Sequence, residues 1–203
     1  MPSETASDLM EPTDELTSRP PRSRRRNVIE WTLVVAGALA IAVVIQLTSL
    51  QAFRIPSESM LPLLKKGDRV LVNKWSYRVH DLNRGDVIVF TRPPALTDTT
   101  VDDLIKRVIG RPGDSVTIDG GHVLINGQVL TEPYLAQDAT TLPTGPIKCP
   151  PRDPCVVPDG QVWVMGDNRN FSEDSRYFGP VDQSTIVGRA FVRLWPMNRL
   201  GGL

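Results

Sequence analysis

The segment FRIPSESMLPLLKKGD (53–68) sets Ser57 and Ser59 two residues apart behind Pro56. A serine hydroxyl becomes a useful nucleophile only when a base stands ready to take its proton. Histidine is the usual base, but the chain holds only His80 and His122. His122 follows a Gly-Gly pair that reads as a hairpin turn, and His80 lies in the loop-like YRVHDLNRGD. Both are expected to be structural. Lysine is the next candidate. In DDLIKRVIGRPGD (102–114), alternation puts Leu104, Lys106 and Val108 on one strand face and Ile105, Arg107 and Ile109 on the other. A free lysine has a pKa of about 10.4, so it must be desolvated to act as a base near neutrality. The apolar flanks of Lys106 suit that. They would also suit an amphipathic strand whose lysine snorkels to water. Ser57 and Ser59 have their own plainer reading as a polar turn. If Pro56 holds the segment extended, Ile55, Ser57 and Ser59 share a face.

A third segment, MGDNRNFSEDSRYFGP (165–180), crowds Asp167, Asn168, Arg169, Asn170, Ser172, Glu173, Asp174, Ser175 and Arg176 together. It reads either as a solvated loop or as a hydrogen-bonded loop crossing beneath a site, with Asp174 and Arg176 able to pair. The interleaved Phe171, Tyr177 and Phe178 are expected to be partly buried, which favours the second reading, because buried polar groups need partners. No HExxH, P-loop or dinucleotide-binding glycine pattern occurs. No metal or organic cofactor is implied.

These residues need elements to hold them. From Trp31 to Phe53 no residue is charged, and WTLVVAGALAIAVVIQLTSL alone is twenty residues long. As a helix it spans about 30 Å, the thickness of a bilayer core. A buried core helix would show a polar face. A cleaved leader would show small residues at its exit, where Leu47 and Leu50 stand instead. A retained transmembrane helix is expected over 30–50, after a disordered tail (1–29) and before a folded unit (51–203). Residues 19–26 hold five arginines and no acid. The positive-inside rule puts them in the cytoplasm and the folded unit outside. Zero net charge gives no reason to expect nucleic acid.

With eighteen prolines and fifteen glycines, the remainder reads as mostly β. DVIVFT (86–91), LIKRVIG (104–110), QVWVMGD (161–167) and TIVGRAFVRLW (185–195) are strand-like. SVTID, HVLI and QVL form a meander across Gly120-Gly121 and Asn126-Gly127. The fold class expected is an antiparallel β-sheet or barrel-like domain. Residues 131–160 look like an excursion from it. They contain Cys149 and Cys155, which either close a short disulfide loop or stand as two thiols.

Together the segments resemble the bacterial type I signal peptidases. IPSESMLP (55–62) is similar to the family's serine motif, RGDVIVF (84–90) to the strand motif after it, KRVIGRPGD (106–114) to its lysine motif, and GDNRNFSEDSR (166–176) to its GDNR motif. The resemblance implies Ser59 as nucleophile and Lys106 as general base. It implies that Ser57 lines an oxyanion hole, that Ser172 orients the lysine, and that Asp174 and Arg176 form a supporting ion pair. Ile55, Met60 and Ile105 would line substrate pockets for small side chains. Leu63, Asn170 and Phe171 depart from the family pattern, away from the nucleophile and base. The implied enzyme is a single-pass plasma-membrane endopeptidase whose partners are membrane lipid and the signal peptides of exported preproteins. Two rival readings are another membrane-anchored serine–lysine processing protease and a non-enzymatic envelope-binding domain.

Overall fold

The computed structural model describes residues 24–97, 101–137, 139–142 and 155–203. The chain divides into two compact units, Met1–Val44 and Ile45–Leu203. The expected tail falls largely outside the described residues. Helix α1 runs Arg24–Ser49, starting before residue 30. Its Asn27–Val44 stretch is long and apolar enough to cross a membrane, and none of it is buried. It ends where Gln46, Thr48 and Ser49 break the apolar run, so Leu50 belongs to the first strand instead of the helix.

The second unit is built from antiparallel pairs. The strands are β1 (Leu50–Arg54), β2 (Arg69–Asn73), β3 (Val87–Thr91), β4 (Asp103–Gly110), β5 (Ser115–Asp119), β6 (His122–Ile125), β7 (Gln128–Val129), β8 (Cys155–Val156), β9 (Gln161–Met165), β10 (Val181–Asp182), β11 (Ile186–Trp195) and β12 (Gly201–Gly202). The larger sheet runs β1-β2-β11-β3-β4-β9-β10, with β12 paired to β11. The smaller runs β7-β6-β5-β8. Register shifts along β11, against both β2 and β3, let the sheet curl. The only helices among the described residues of this unit are short turns, including α2 (Ser76–Val79) and α3 (Ser175–Phe178).

The meander forms as its sequence dictates. Gly120 and Gly121 have φ of 54° and 82°, and Asn126 and Gly127 have 53° and 78°. Two successive positive φ values make the hairpin turn that matches strand twist. The meander forms the smaller sheet, and of the described residues in 131–160 only β8 joins it, pairing with β5. Cys155, buried on β8, is disulfide-bonded. Cys149 lies outside the described residues.

Both faces of the central strands are covered. Ile55, Met60, Leu64, Val70, Val72, Val87, Val89, Ile105 and Ala190 fill one side. Ile88, Phe90, Val108, Val162, Val164, Phe178 and Val181 fill another. β4 is therefore buried along most of its length, Lys106 and Arg107 included.

Candidate active site

Ser59 sits on a turn, not on a strand. The Ile55 N–H donates to Asp68 O at 2.9 Å and the Gly67 N–H donates to Ile55 O at 2.9 Å, which pins the start of the loop. Beyond Pro56 the chain bends. The Leu61 N–H donates to Glu58 O (3.1 Å) and the Leu64 N–H to Met60 O (2.8 Å). Met60 and Leu64 are fully buried and anchor that turn in the core. The expected alternation over residues 55–59 thus fails after Pro56: burying Met60 and Leu64 outweighs extending the chain. Ser57 is exposed and Ser59 is 6% exposed, yet their hydroxyls meet, Ser57 Oγ donating to Ser59 Oγ at 3.4 Å.

Lys106 is held in the middle of β4, opposite Ile88 on β3. Leu104 and Val108 pack in the cluster that contains Ile88, as alternation requires for Lys106's face. Lys106 is 4% exposed. Burial brings its ammonium down from the ordinary lysine value to about 8, against the upward pull of the Asp174 and Glu173 carboxylates. On the next residue, the Arg107 guanidinium donates to both Asp167 oxygens, at 2.8 and 2.7 Å, and lies over the Tyr134 ring. That pair ties β4 to the loop after β9.

The loop 166–176 fastens the other two segments. The Asn168 backbone N–H donates to Ser59 O at 3.0 Å, and its side chain donates to Glu58 O at 3.1 Å. Gly166 passes so close that a Cβ there would collide with Ser59 O and Ser172 Oγ. Arg169, almost wholly buried, donates to Thr141 Oγ1 and Gly166 O and pairs with Glu132. Asp174 and Arg176 pair through both carboxylate oxygens at 2.8 and 2.9 Å, each fully buried. Asp174 also accepts the Gly166 N–H at 3.0 Å, and Arg176 donates to Arg169 O at 2.7 Å. The buried Ser172 hydroxyl has no hydrogen-bond partner among the described residues. One expectation for this loop is wrong. Phe171 is 78% exposed, because the loop turns it away from the core that takes Phe178.

Ser57, Ser59 and Lys106 line one cavity of about 240 Å³. Its other walls are Pro56, Leu96, Val101, Leu104, Phe171 and Glu173. Ile55, Met60 and Ile105, expected to line substrate pockets, instead belong to the core cluster beneath and do not line this cavity. An arginine at Ile55 would bury a charge in that core, so it could not leave the fold intact. Leu104 was readable from its shared face with Lys106. Leu96, Val101 and Glu173 carry no sequence signal for this role, since loops distant in sequence bring them there. General-base activation of a serine requires a desolvated amine within reach of the hydroxyl, and Lys106 and Ser59 open into the same cavity. Among the described residues no cluster of three or more His, Cys, Asp or Glu could hold a metal.

The family model for signal peptidase, peptidase S26, matches residues 28–195. A probable signal peptidase I-2 from Synechocystis sp. is 44% identical over 171 residues, covering 84% of this chain and 73% of that protein. A signal peptidase I from Leptolyngbya laminosa is 43% identical, covering 87% of this chain and 84% of that one. A signal peptidase IB from Staphylococcus aureus is 36% identical, covering 86% and 93%. A crystal structure of a signal peptidase I from Enterococcus faecalis V583 aligns with a TM-score of 0.45 at 32% identity, over 55% of this chain and 97% of that one.

Proposed function

The chain belongs to the signal peptidase family, peptidase S26, and from that membership we propose that it cleaves signal peptides from exported precursors with Ser59 as nucleophile and Lys106 as general base. The observation that carries the assignment is the single cavity lined by Ser59 and Lys106, in which burial holds the lysine near 8. At pH 7 an amine of that pKa is neutral in about one molecule in ten, against roughly one in three thousand at its ordinary value.

Neutral Lys106 takes the Ser59 Oγ proton as that oxygen attacks the scissile carbonyl. The Ser59 backbone N–H and the Ser57 hydroxyl donate to the oxyanion. The C–N bond then breaks, the lysine ammonium gives its proton to the leaving amine, and an acyl-enzyme remains. A water that loses its proton to the same lysine releases the acyl group. The family resemblance gives Ser172 the role of orienting Lys106, and its buried hydroxyl has no hydrogen-bond partner among the described residues. The Asp174–Arg176 pair fixes the loop that carries Ser172. The small cavity admits a small side chain at −1 between Pro56 and Leu104. The precursor's extended segment adds along the outer edge of β1, which ends the sheet order. Helix α1 anchors the enzyme, with the arginines of residues 19–26 cytoplasmic and the second unit outside.

The test is the pH profile of kcat/KM on a precursor peptide, which reports groups of the free enzyme. The Lys106 amine must be neutral, so activity rises about tenfold per pH unit up to about 8 and then levels. A profile flat through that region would remove Lys106 as the base. A second expectation concerns the close approach at Gly166. Gly166→Ala pushes the Ser59 carbonyl aside and is expected to lower kcat about 100-fold, the cost of a misplacement near 1 Å. Steady-state kinetics check it, and a kcat like the wild type's would show that the turn tolerates the methyl group.

A further inference from the structure

The catalytic unit carries a second, larger cleft of about 590 Å³ that the reaction above leaves without a use. Its walls include Glu58, Leu61, Pro62, Ala136, Ala139 and Phe171. Three observations tie it to the scissile bond. The nucleophile cavity takes Pro56, Ser57 and Ser59, whereas the cleft takes Glu58, Leu61 and Pro62, which flank Ser59 on both sides. Phe171 lines both spaces and so forms the partition between them. Asn168, another wall residue, holds Ser59 O and Glu58 O at 3.0 and 3.1 Å, which fixes the cleft relative to the nucleophile. Phe171 is 78% exposed on a loop otherwise locked by buried ion pairs. A rigidly presented aromatic ring left in water is suited to contact a partner.

We infer that this cleft binds the first residues after the scissile bond, the start of the mature protein, and that Phe171 is the specificity-determining residue at its entrance. The inference rests on the peptidase reading of Ser59. In that reading the acyl half of the substrate lies along β1, with its −1 side chain in the small cavity. The amine half must leave Ser59 in the other direction, past Phe171, where the cleft begins. The occupant is an extended peptide whose small or apolar side chains pack on Leu61, Pro62 and the Phe171 ring.

The test compares two synthetic precursor peptides that share one signal-peptide half. One ends at position +1 as an amide, and the other runs several residues further with an apolar side chain at +2. In the full-length enzyme in detergent, kcat/KM for the longer peptide is expected to exceed that for the shorter by roughly tenfold or more, the worth of one buried apolar side chain. Phe171→Ala, which removes the wall, and Ala136→Trp, which fills the cleft, should each bring the ratio close to one. Val129→Trp, on the exposed face of β7, should leave the ratio alone. A wild-type ratio near one, or a ratio unchanged in both cleft variants, would overturn the inference. So would an unchanged ratio with weaker partition of those variants onto lipid vesicles, which would assign the cleft to lipid. Failure of the wild type to cut either peptide would overturn the peptidase reading itself, and this inference with it.

Discussion

Lys106→Ala is expected to lower kcat/KM for precursor cleavage on the order of 10⁴-fold, the upper range for loss of a positioned general base. The protein should stay folded and gain stability. The buried ammonium falls from 10.5 to about 8, so the unfolded chain holds that proton more tightly than the folded one. Below about pH 8 the folded state bears the whole cost, roughly 3 kcal/mol. As pH rises from there toward 10.5, the unfolded chain also loses its proton and the cost disappears. Lys106→Met fills the same space without a charge. At pH 7 it should be more stable than the wild type by up to about 3 kcal/mol in denaturant titrations, and that advantage should vanish above the ordinary lysine pKa. Lost activity with raised stability separates a catalytic amine from a structural one. A Lys106→Met protein less stable than the wild type at pH 7 would mean that the lysine is held by contacts worth more than its desolvation.

The second large effect is on the fold. Removing one partner of a buried, two-point ion pair leaves an uncompensated charge and costs about 3–5 kcal/mol. Asp174 and Arg176 are both fully buried, and each also serves backbone groups, at Gly166 N–H and Arg169 O. Arg176→Ala should therefore lower Tm by about 10 °C or more in a protein of this size. It should also reduce kcat, because the same loop carries Ser172 and holds the carbonyl of Ser59. Circular dichroism melts check the first effect and cleavage kinetics the second. Replacing both partners by apolar residues of similar volume should recover much of the stability, since no lone charge remains. A loss in Arg176→Ala within about 1 kcal/mol would show the pair to be no stronger than an exposed one.

The strands legible in the sequence are those with a clear period, a β-branched run or a hairpin turn beside them: β3, β4, β5, β6, β7, β9 and β11. β4 shows why the reading reached the site. Its apolar residues on both sides of Lys106 specify burial, and burial is what changes the amine. β1 was hidden because LQAFR follows directly on the apolar run of α1, where hydropathy masks any alternation. β8, β10 and β12 are two-residue pairs that exist only because a partner strand lies beside them. The serine segment reads as extended in the sequence because Pro56 favours that shape locally. The tertiary burial of Met60 and Leu64 overrides it one turn later. Phe171 misled for a similar reason: an aromatic residue in a polar loop suggests a packed side chain, and only the loop's ion pairs decide which ring turns inward. The collision that reserves Gly166 for glycine, and the cavity walls at Leu96 and Val101, arise from segments far apart in sequence.

The central claim is that Ser59 attacks the scissile bond. Its most direct test incubates a secretory precursor with the detergent-solubilised wild type and with Ser59→Ala, both shown to be folded, and locates the cut by mass spectrometry. The account predicts a single cut after a small residue in the wild type and an intact precursor with Ser59→Ala. Cleavage at the same bond and a similar rate by folded Ser59→Ala would contradict it.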